Sequence, residues 1–362
     1  MRLLSIDILR GLAVTLVLFR HFGIVEVLGK IGWSGVDLFF VISGFLVSGL
    51  LFREFQSTGE IKPMRFLIRR GFKIYPPFYF FLAFTVAKTL LVFLSGYAGN
   101  KNFNLKALLA EIFFVQNYFG RLWSHTWSLA VEEHFYFLLI LLVTFVVAVR
   151  QIDDSRLFAN IFFVVACICL LLRWHNFLST PFKVDTHLIY THLRIDSLFF
   201  GVFLSHMYNF NRSMVDSYVR KNMSAMLITA VLCLSCMFFA DLTSMFMSTV
   251  GLSLTYLGFG IILITFIQLE GQLHAASRGW MHFLIKPLAL VGAYSYSIYL
   301  WHLAVLVYLV EPFLIPLNEK LAFSVYFAGS IFVGVVTSKM FEKPFLKLRE
   351  KMFPMFKKYD VN

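Results

Sequence analysis

Residues 5–28 read SIDILRGLAVTLVLFRHFGIVEVL. A helix needs about 20 mostly apolar residues to cross a bilayer, and this run is long enough. Yet Asp7, Arg10, Arg20 and His21 stand among its aliphatic residues. Helix positions advance by about 100° and rise by about 1.5 Å, so Arg10 and His21 share a face to within about 20° and sit about 16 Å apart along the axis. Asp7 lies one turn before Arg10 and is placed to pair with it. Ionisable groups at membrane depth are costly and usually face a protein interior or a wet cavity. The Arg10–His21 face is therefore expected to line a reaction chamber. Arg20 reads instead as an edge cation whose head snorkels to water.

The rest of the chain agrees with a membrane setting. Of its 362 residues 59% are hydrophobic and 14% charged, with mean hydropathy +0.77. Soluble domains carry about 25% charged residues. Nothing alternates as transmembrane β-strands do. The expected fold class is all-α, a polytopic transmembrane helical bundle of about ten spans. These fall near 5–28, 34–53, 75–96, 127–149, 158–173, 193–209, 223–240, 246–268, 287–310 and 320–340. Leu105 to Phe119 carries Lys106, Glu111, Gln116 and Asn117, and is expected as an interfacial or re-entrant helix. The run after Met1-Arg2 is too long and too charged for a signal-peptide core, so the first span is expected to be retained.

The net charge of +12 is a topology signal. With the N-terminus inside, cytoplasmic segments hold about 21 Lys and Arg, against about six outside. Both termini are expected in the cytoplasm and the protein in the cytoplasmic (inner) membrane. Residues 1–345 read as one transmembrane domain and 346–362 as a basic cytoplasmic tail. Cys167, Cys169, Cys233 and Cys236 all lie in apolar runs and read as small core residues. No metal site is expected.

Five further groups stand out. Gly35-Val-Asp37-Leu-Phe-Phe opens the second span at its outer end. Asp37 reads either as a carboxylate that orients an imidazole or as one favoured by the helix dipole. Arg65, Arg69, Arg70 and Lys73 cluster before Tyr75-Pro76 at the inner face. They suit anionic lipid headgroups or a ligand with several phosphates. His125, Ser128, Glu132 and Tyr136 recur at helical spacing and share one face. Glu132 and Glu133 point to different faces of an apolar run, so each needs a partner. Arg194-Ile-Asp196 opens the sixth span, and Tyr294-Ser-Tyr-Ser297 leads to His302. The outer segments are rich in aromatic residues and His, which suits an interface belt or a sugar.

These blocks resemble the membrane acyltransferase-3 family, multipass O-acyltransferases of bacteria with relatives in animals. The resemblance rests on Arg10-x10-His21, Gly35-Val-Asp37-Leu-Phe-Phe, Arg69-Arg70-x-x-Lys73-Ile-x-Pro76 and Trp127-Ser128-Leu-x-Val-Glu132-Glu-x-Phe-Tyr136. Arg194-x-Asp196, Ser297-Ile-Tyr-x-x-His302 and Glu342-Lys-Pro344-Phe complete it, all in family order. Lys73 stands where Arg is usual and His134 where Gln is usual. The resemblance implies transfer of an acyl group, acetyl foremost, from cytoplasmic acyl-CoA to a hydroxyl of an extracytoplasmic or lipid-linked carbohydrate. Acyl-CoA is then the donor substrate, with no bound cofactor.

The resemblance also implies that Arg10 and His21 are the essential pair. Asp37 and Glu132 complete the expected catalytic set. Arg69, Arg70 and Lys73 are expected to hold the CoA phosphates, and Trp127, Ser128, Tyr136 and His302 to line the acceptor. His21 acts as general base or first accepts the acyl group itself; both readings stand. A stand-alone form is expected, without the fused extracellular domain of some members, so transfer is completed alone or with a separate extracytoplasmic partner. The rival is a transporter of a lipid-linked or acylated glycan, for which helices broken at mid-membrane would be the sign. A scaffold role gains little from charges at this depth.

Overall fold

The computed structural model describes residues 3–95, 103–279, 281–315 and 318–354. Arg2, Lys101, Lys357 and Lys358, counted in the charge bias, lie outside the described residues, as does the tail beyond 354. The described residues are helical, with no strand among them. The helices are α1 (Leu4–Phe22), α2 (Glu26–Thr58), α3 (Pro63–Leu94), α4 (Leu105–Ile112), α5 (Trp127–Ala148), α6 (Ser155–Ser179) and α7 (Ile195–Phe210). There follow α8 (Arg212–Phe239), α9 (Met247–Gln268), α10 (Glu270–Ala276), α11 (His282–Ala293), α12 (Ser295–Phe313), α13 (Glu319–Thr337) and α14 (Lys343–Met352).

Among the described residues eight helices, counting α13 and α14 as one, are long and apolar enough to cross a membrane. The chain is a multipass helical membrane protein. α1 falls outside that group because of its charges, and α7 because it has 16 residues. Residues 105–119 form no spanning helix: α4 ends at Ile112, and Phe114 takes a left-handed backbone, φ 55°. The expected ninth span is not continuous. Tyr294 (φ −111°, ψ 9°) separates α11 from α12, two residues after Gly292.

Local sequence explains the helix ends. α1 stops at Gly23, which takes φ 75° and returns its N–H to the Phe19 carbonyl. α3 begins on Pro63, whose missing N–H costs nothing in a first turn. Asp154 caps α6 through the N–H groups of Arg156 and Leu157.

The chain folds as two units. One takes residues 1–61 and 138–295, the other 62–137 and 296–362. In the first, helices meet backbone to backbone at glycines. A Cβ on Gly44 of α2 would strike the Leu198 carbonyl of α7, and one on Gly201 of α7 the Val41 carbonyl. α1 and α11 meet the same way: a Cβ on Gly292 would strike the Asp7 carbonyl, and one on Gly11 the Leu288 carbonyl. Small residues permit such approach, and close packing is a main source of helix association where lipid is as apolar as leucine. Around these crossings Leu9, Leu38, Val41, Met247, Tyr256 and Leu263 form part of one buried cluster.

The N-terminus of α1 is capped from far along the chain. Glu270 of α10 accepts the N–H groups of Leu4 (2.6 Å) and Ser5 (2.9 Å). Burial draws the Glu270 carboxyl upward, but bonds from Ser5 and the Leu4 N–H outweigh it and hold it below the usual carboxylate range. A depressed carboxylate contributes stability above its unfolded pKa, and this is lost as pH falls through the folded value. Glu270→Ala is expected to cost about 1 kcal/mol near neutral pH, as loss of a helix cap does. Denaturant unfolding of the detergent-solubilised protein checks this, and the deficit should shrink in acid.

The second unit holds α3, α4, the first half of α5, most of α12, α13 and α14. Phe80 and Phe341 stack at 3.6 Å, and Phe81 and Phe84 pack on Trp301 at 5.1 and 5.0 Å. Leu306–Val310 and Ser338–Glu342 are wound as single π-helical turns, which often mark functional positions. The segment expected as a tail is helical through Met352 and binds back onto α3.

Candidate active site

The first unit holds Arg10, His21 and Asp37. Arg10 Nε donates to the hydroxyl of Ser295 (3.1 Å), the residue directly after the Tyr294 break. Asp7 was the expected partner; among the described residues no carboxylate pairs with Arg10. His21 lies half-buried in the last turn of α1. Asp37 is buried and accepts Arg194 Nη2 at 2.8 Å. Its charge is thus balanced by the Arg194-x-Asp196 motif.

A second buried pair lies in the same unit and was not expected. Arg173 forms an ion pair with Asp196. It also donates to the Leu193 carbonyl (2.8 Å), the Thr249 carbonyl (3.1 Å) and Ser253 Oγ (3.1 Å). The Thr249 carbonyl belongs to the π-helical turn Met247–Gly251 that opens α9. One guanidinium thus ties α6 to the start of α7 and to α9. In the sequence Arg173 closes an apolar run, where a lone cation reads as snorkelling.

The second unit brings the basic block of α3 and the Trp127–Tyr136 block together. The Arg70 guanidinium lies over the rings of Phe66 (5.8 Å) and Tyr136 (5.6 Å) and within electrostatic reach of Glu132 and Glu133. Glu132 accepts the Tyr136 hydroxyl at 2.7 Å, and buried Glu133 accepts the Tyr75 hydroxyl at 3.1 Å. Tyr296 donates to the Ile74 carbonyl (2.9 Å), beside the Pro76–Pro77 pair of α3. Glu342, from the Glu342-Lys-Pro344 block, accepts Ser297 (3.0 Å) and Ser338 (2.8 Å). Arg69 pairs with Glu350 of α14 at 2.8 Å and donates to the Phe353 carbonyl, while Arg65 donates to the Pro354 carbonyl. Lys73 is half-buried nearly three turns into α3.

The remaining expected residues form a hydroxyl and imidazole group. Ser128 Oγ and Tyr299 Oη lie 2.7 Å apart, and Tyr299 donates to the His125 carbonyl at 2.7 Å. The His125 and His302 rings are 4.9 Å apart, edge to face. His125 Nε2 lies 3.1 Å from the Leu300 carbonyl, and His302 Nδ1 2.5 Å from the Tyr299 carbonyl. His125 stands in the turn before α5, not on the helical face that its spacing suggested. Trp127 is the first residue of α5. Among the described residues no three His, Cys, Asp or Glu side chains gather as a metal site.

A helical membrane fold with charged side chains inside it is shared by many transporters and enzymes. The family profile described as "Acyltransferase domain" matches residues 3–339. The chain belongs to this acyltransferase-3 family. It is similar to the "O-acetyltransferase OatA" of Staphylococcus aureus, with 27% identity over 323 residues, 84% of this chain and 50% of the relative. It is also similar to the "Peptidoglycan O-acetyltransferase OatA" of Listeria monocytogenes, with 28% identity over 320 residues, 82% and 48% of the two chains. The chain thus spans about half the length of these curated relatives. No solved structure matches it significantly.

Proposed function

We propose that the protein is an O-acyltransferase of the cytoplasmic membrane, with both termini inside. It moves an acetyl group from cytoplasmic acetyl-CoA to a hydroxyl of a cell-envelope glycan, peptidoglycan being the acceptor named for one relative. The observation that carries this reading, within the family match, is Arg10. A guanidinium stays charged at any depth, and its one partner among the described residues is the neutral Ser295 hydroxyl. An anion or a strongly polarised carbonyl supplied by a ligand would balance it.

Arg10 and His21 are about 16 Å apart along α1, more than one acyl group can bridge. They therefore act on different parts of a long ligand or in successive steps. In this reading Arg10 holds the donor. His21 takes the proton of the acceptor hydroxyl as its oxygen bonds to the acyl carbon; the C–S bond breaks and the proton passes to the CoA thiolate. Prior transfer of the acyl group to His21 gives the same products. Asp37, through Arg194, ties α2 to the start of α7. In the second unit Arg70, with Glu132 and Tyr136 beside it, forms a charged group suited to the phosphates of CoA, and Lys73 adds a further cation. Arg69 takes part by exchanging Glu350 for a phosphate. Ser128, Trp127 and His302 serve the acceptor, alone or with a separate extracytoplasmic protein.

The break at Tyr294 gives one observation in favour of a second reading, transport of a lipid-linked or acylated glycan. Two measurements decide. Mass spectrometry of envelope polysaccharide should show O-acetyl groups in cells with the gene and their loss without it. Purified protein should bind radiolabelled acetyl-CoA, which a bare transporter has no reason to bind. Unchanged acetylation in the deletion strain would overturn the proposal.

A further inference from the structure

Glu111 of α4 lies outside every role assigned above. It is 1% exposed, and its Oε1 accepts the Leu122 N–H at 3.0 Å. The same oxygen lies 2.7 Å from Thr126 Oγ1, which in turn lies 2.9 Å from the Trp123 carbonyl oxygen. A threonine hydroxyl has one hydrogen. With Glu111 ionised, both of these short contacts need that hydrogen, and one must go without. Glu111 Oε2 is buried and has no hydrogen-bond partner among the described residues. A carboxylate would therefore place half its charge where nothing donates to it.

A proton on Oε1 removes both difficulties. The acid then donates to Thr126 Oγ1, and Thr126 donates to the Trp123 carbonyl. Oε1 still accepts from Leu122, and Oε2 becomes a neutral carbonyl oxygen. We infer that Glu111 is a positioning residue of the turn bearing His125, and that it works as a neutral acid whose proton closes the chain Glu111–Thr126–Trp123.

The surroundings fit this role. Gln116 Nε2 donates to the Thr126 carbonyl (2.8 Å) and Trp123 Nε1 to Thr85 Oγ1 (3.0 Å), so α3 and the segment after α4 hold the same turn. The turn carries His125 and leads directly into Trp127, Ser128 and Glu132 of α5. Burial pushes the Glu111 carboxyl up to about 7, against the opposing influence of Thr126 and of the N–H groups of Leu122 and Trp123. Arg121 on the same turn acts on it electrostatically. The nearby titratable groups on other elements are Tyr79 of α3, which donates to the Ile112 carbonyl (2.9 Å), and His134 of α5, bonded to the Phe114 carbonyl. Lys106 lies on α4 itself and Tyr118 on the segment that follows.

The test uses the full-length protein in lipid nanodiscs, as wild type, Glu111→Gln and Glu111→Ala. Infrared difference spectra should show a carboxylic-acid carbonyl band in wild type that titrates near 7 and is missing in Glu111→Gln. Amide exchange at 122–127, corrected for intrinsic rates, should speed up in wild type as pH rises through that value. It should stay flat in Glu111→Gln, whose side chain is neutral at every pH.

The activity arm rests on the acyl-transfer reading. Wild-type transfer should fall above the same pH, by up to about tenfold per unit. Glu111→Gln should remove that alkaline fall and keep at least half the low-pH rate, whereas Glu111→Ala should be slow throughout. A His21 base alone would give the opposite limb, with transfer rising as pH rises. A missing Glu111-dependent band would overturn the inference, as would a Glu111→Gln protein that is inactive beside an active wild type or keeps pH-dependent exchange. If wild type transfers nothing, the functional reading fails, while the spectra and the exchange still decide the inference.

Discussion

Replacing His21 with alanine is expected to lower acyl transfer by about 10²–10⁴-fold, the range that one positioned acid–base group supplies. The protein should still accumulate and unfold like its parent. His21 occupies the last turn of α1, just ahead of the Gly23 cap, and is only half-buried. Its loss therefore opens no cavity in the cluster around Leu9 and Leu38. Arg10→Ala should act differently, raising the KM for the donor more than it lowers kcat if Arg10 holds the donor. Arg10→Lys should recover part of that loss, since an ammonium keeps the charge but not the planar fork. Labelled acetyl transfer by the purified variants reads all three. Transfer by His21→Ala within threefold of the parent would remove His21 from the mechanism.

The second large effect concerns stability. Asp37→Asn is expected to destabilise the protein by about 3–5 kcal/mol, the cost of removing one partner from a buried ion pair. Both side chains of the Asp37–Arg194 pair are almost completely buried. The charge left behind cannot turn to water. The double variant Asp37→Leu, Arg194→Met should recover most of the loss, because a packed apolar pair of similar volume is often as stable as the ions it replaces. Denaturant unfolding in detergent measures both. If Asp37→Asn were as stable as the parent, the pair would not bear on the fold. If the double variant were stable yet active, Asp37 would have no part in transfer either.

Much of this molecule was legible in its residues. The apolar runs announced the helices, and several charges inside those runs proved to be buried and paired, Asp37 with Arg194 among them. Arg70 stands more than sixty residues before Glu132 and Tyr136, in another sequence block, and the second unit brings them together. Other features stayed hidden for a common reason: their partners are remote and carry no local signal. Glu270 reads as a loop carboxylate until α1 ends against it. Arg173 reads as an edge cation until Asp196 and the Thr249 carbonyl surround it. Glu111 stood out only as one polar residue among four in a short amphipathic stretch. The break at Tyr294 stayed hidden because the apolar runs before and after Tyr294-Ser-Tyr-Ser297 merge into one stretch of the length of a span.

The glycine contacts between α1 and α11 have a mechanical corollary. With the Gly292 backbone against the Asp7 carbonyl and Gly11 against that of Leu288, there is no lubricating layer of side chains along which one rod could slide past the other. The two move as a riveted beam. Arg10 sits inside that rivet and Ser295 just beyond its end, so any swing of the chain about Tyr294 would tug directly on the hydroxyl that holds the guanidinium.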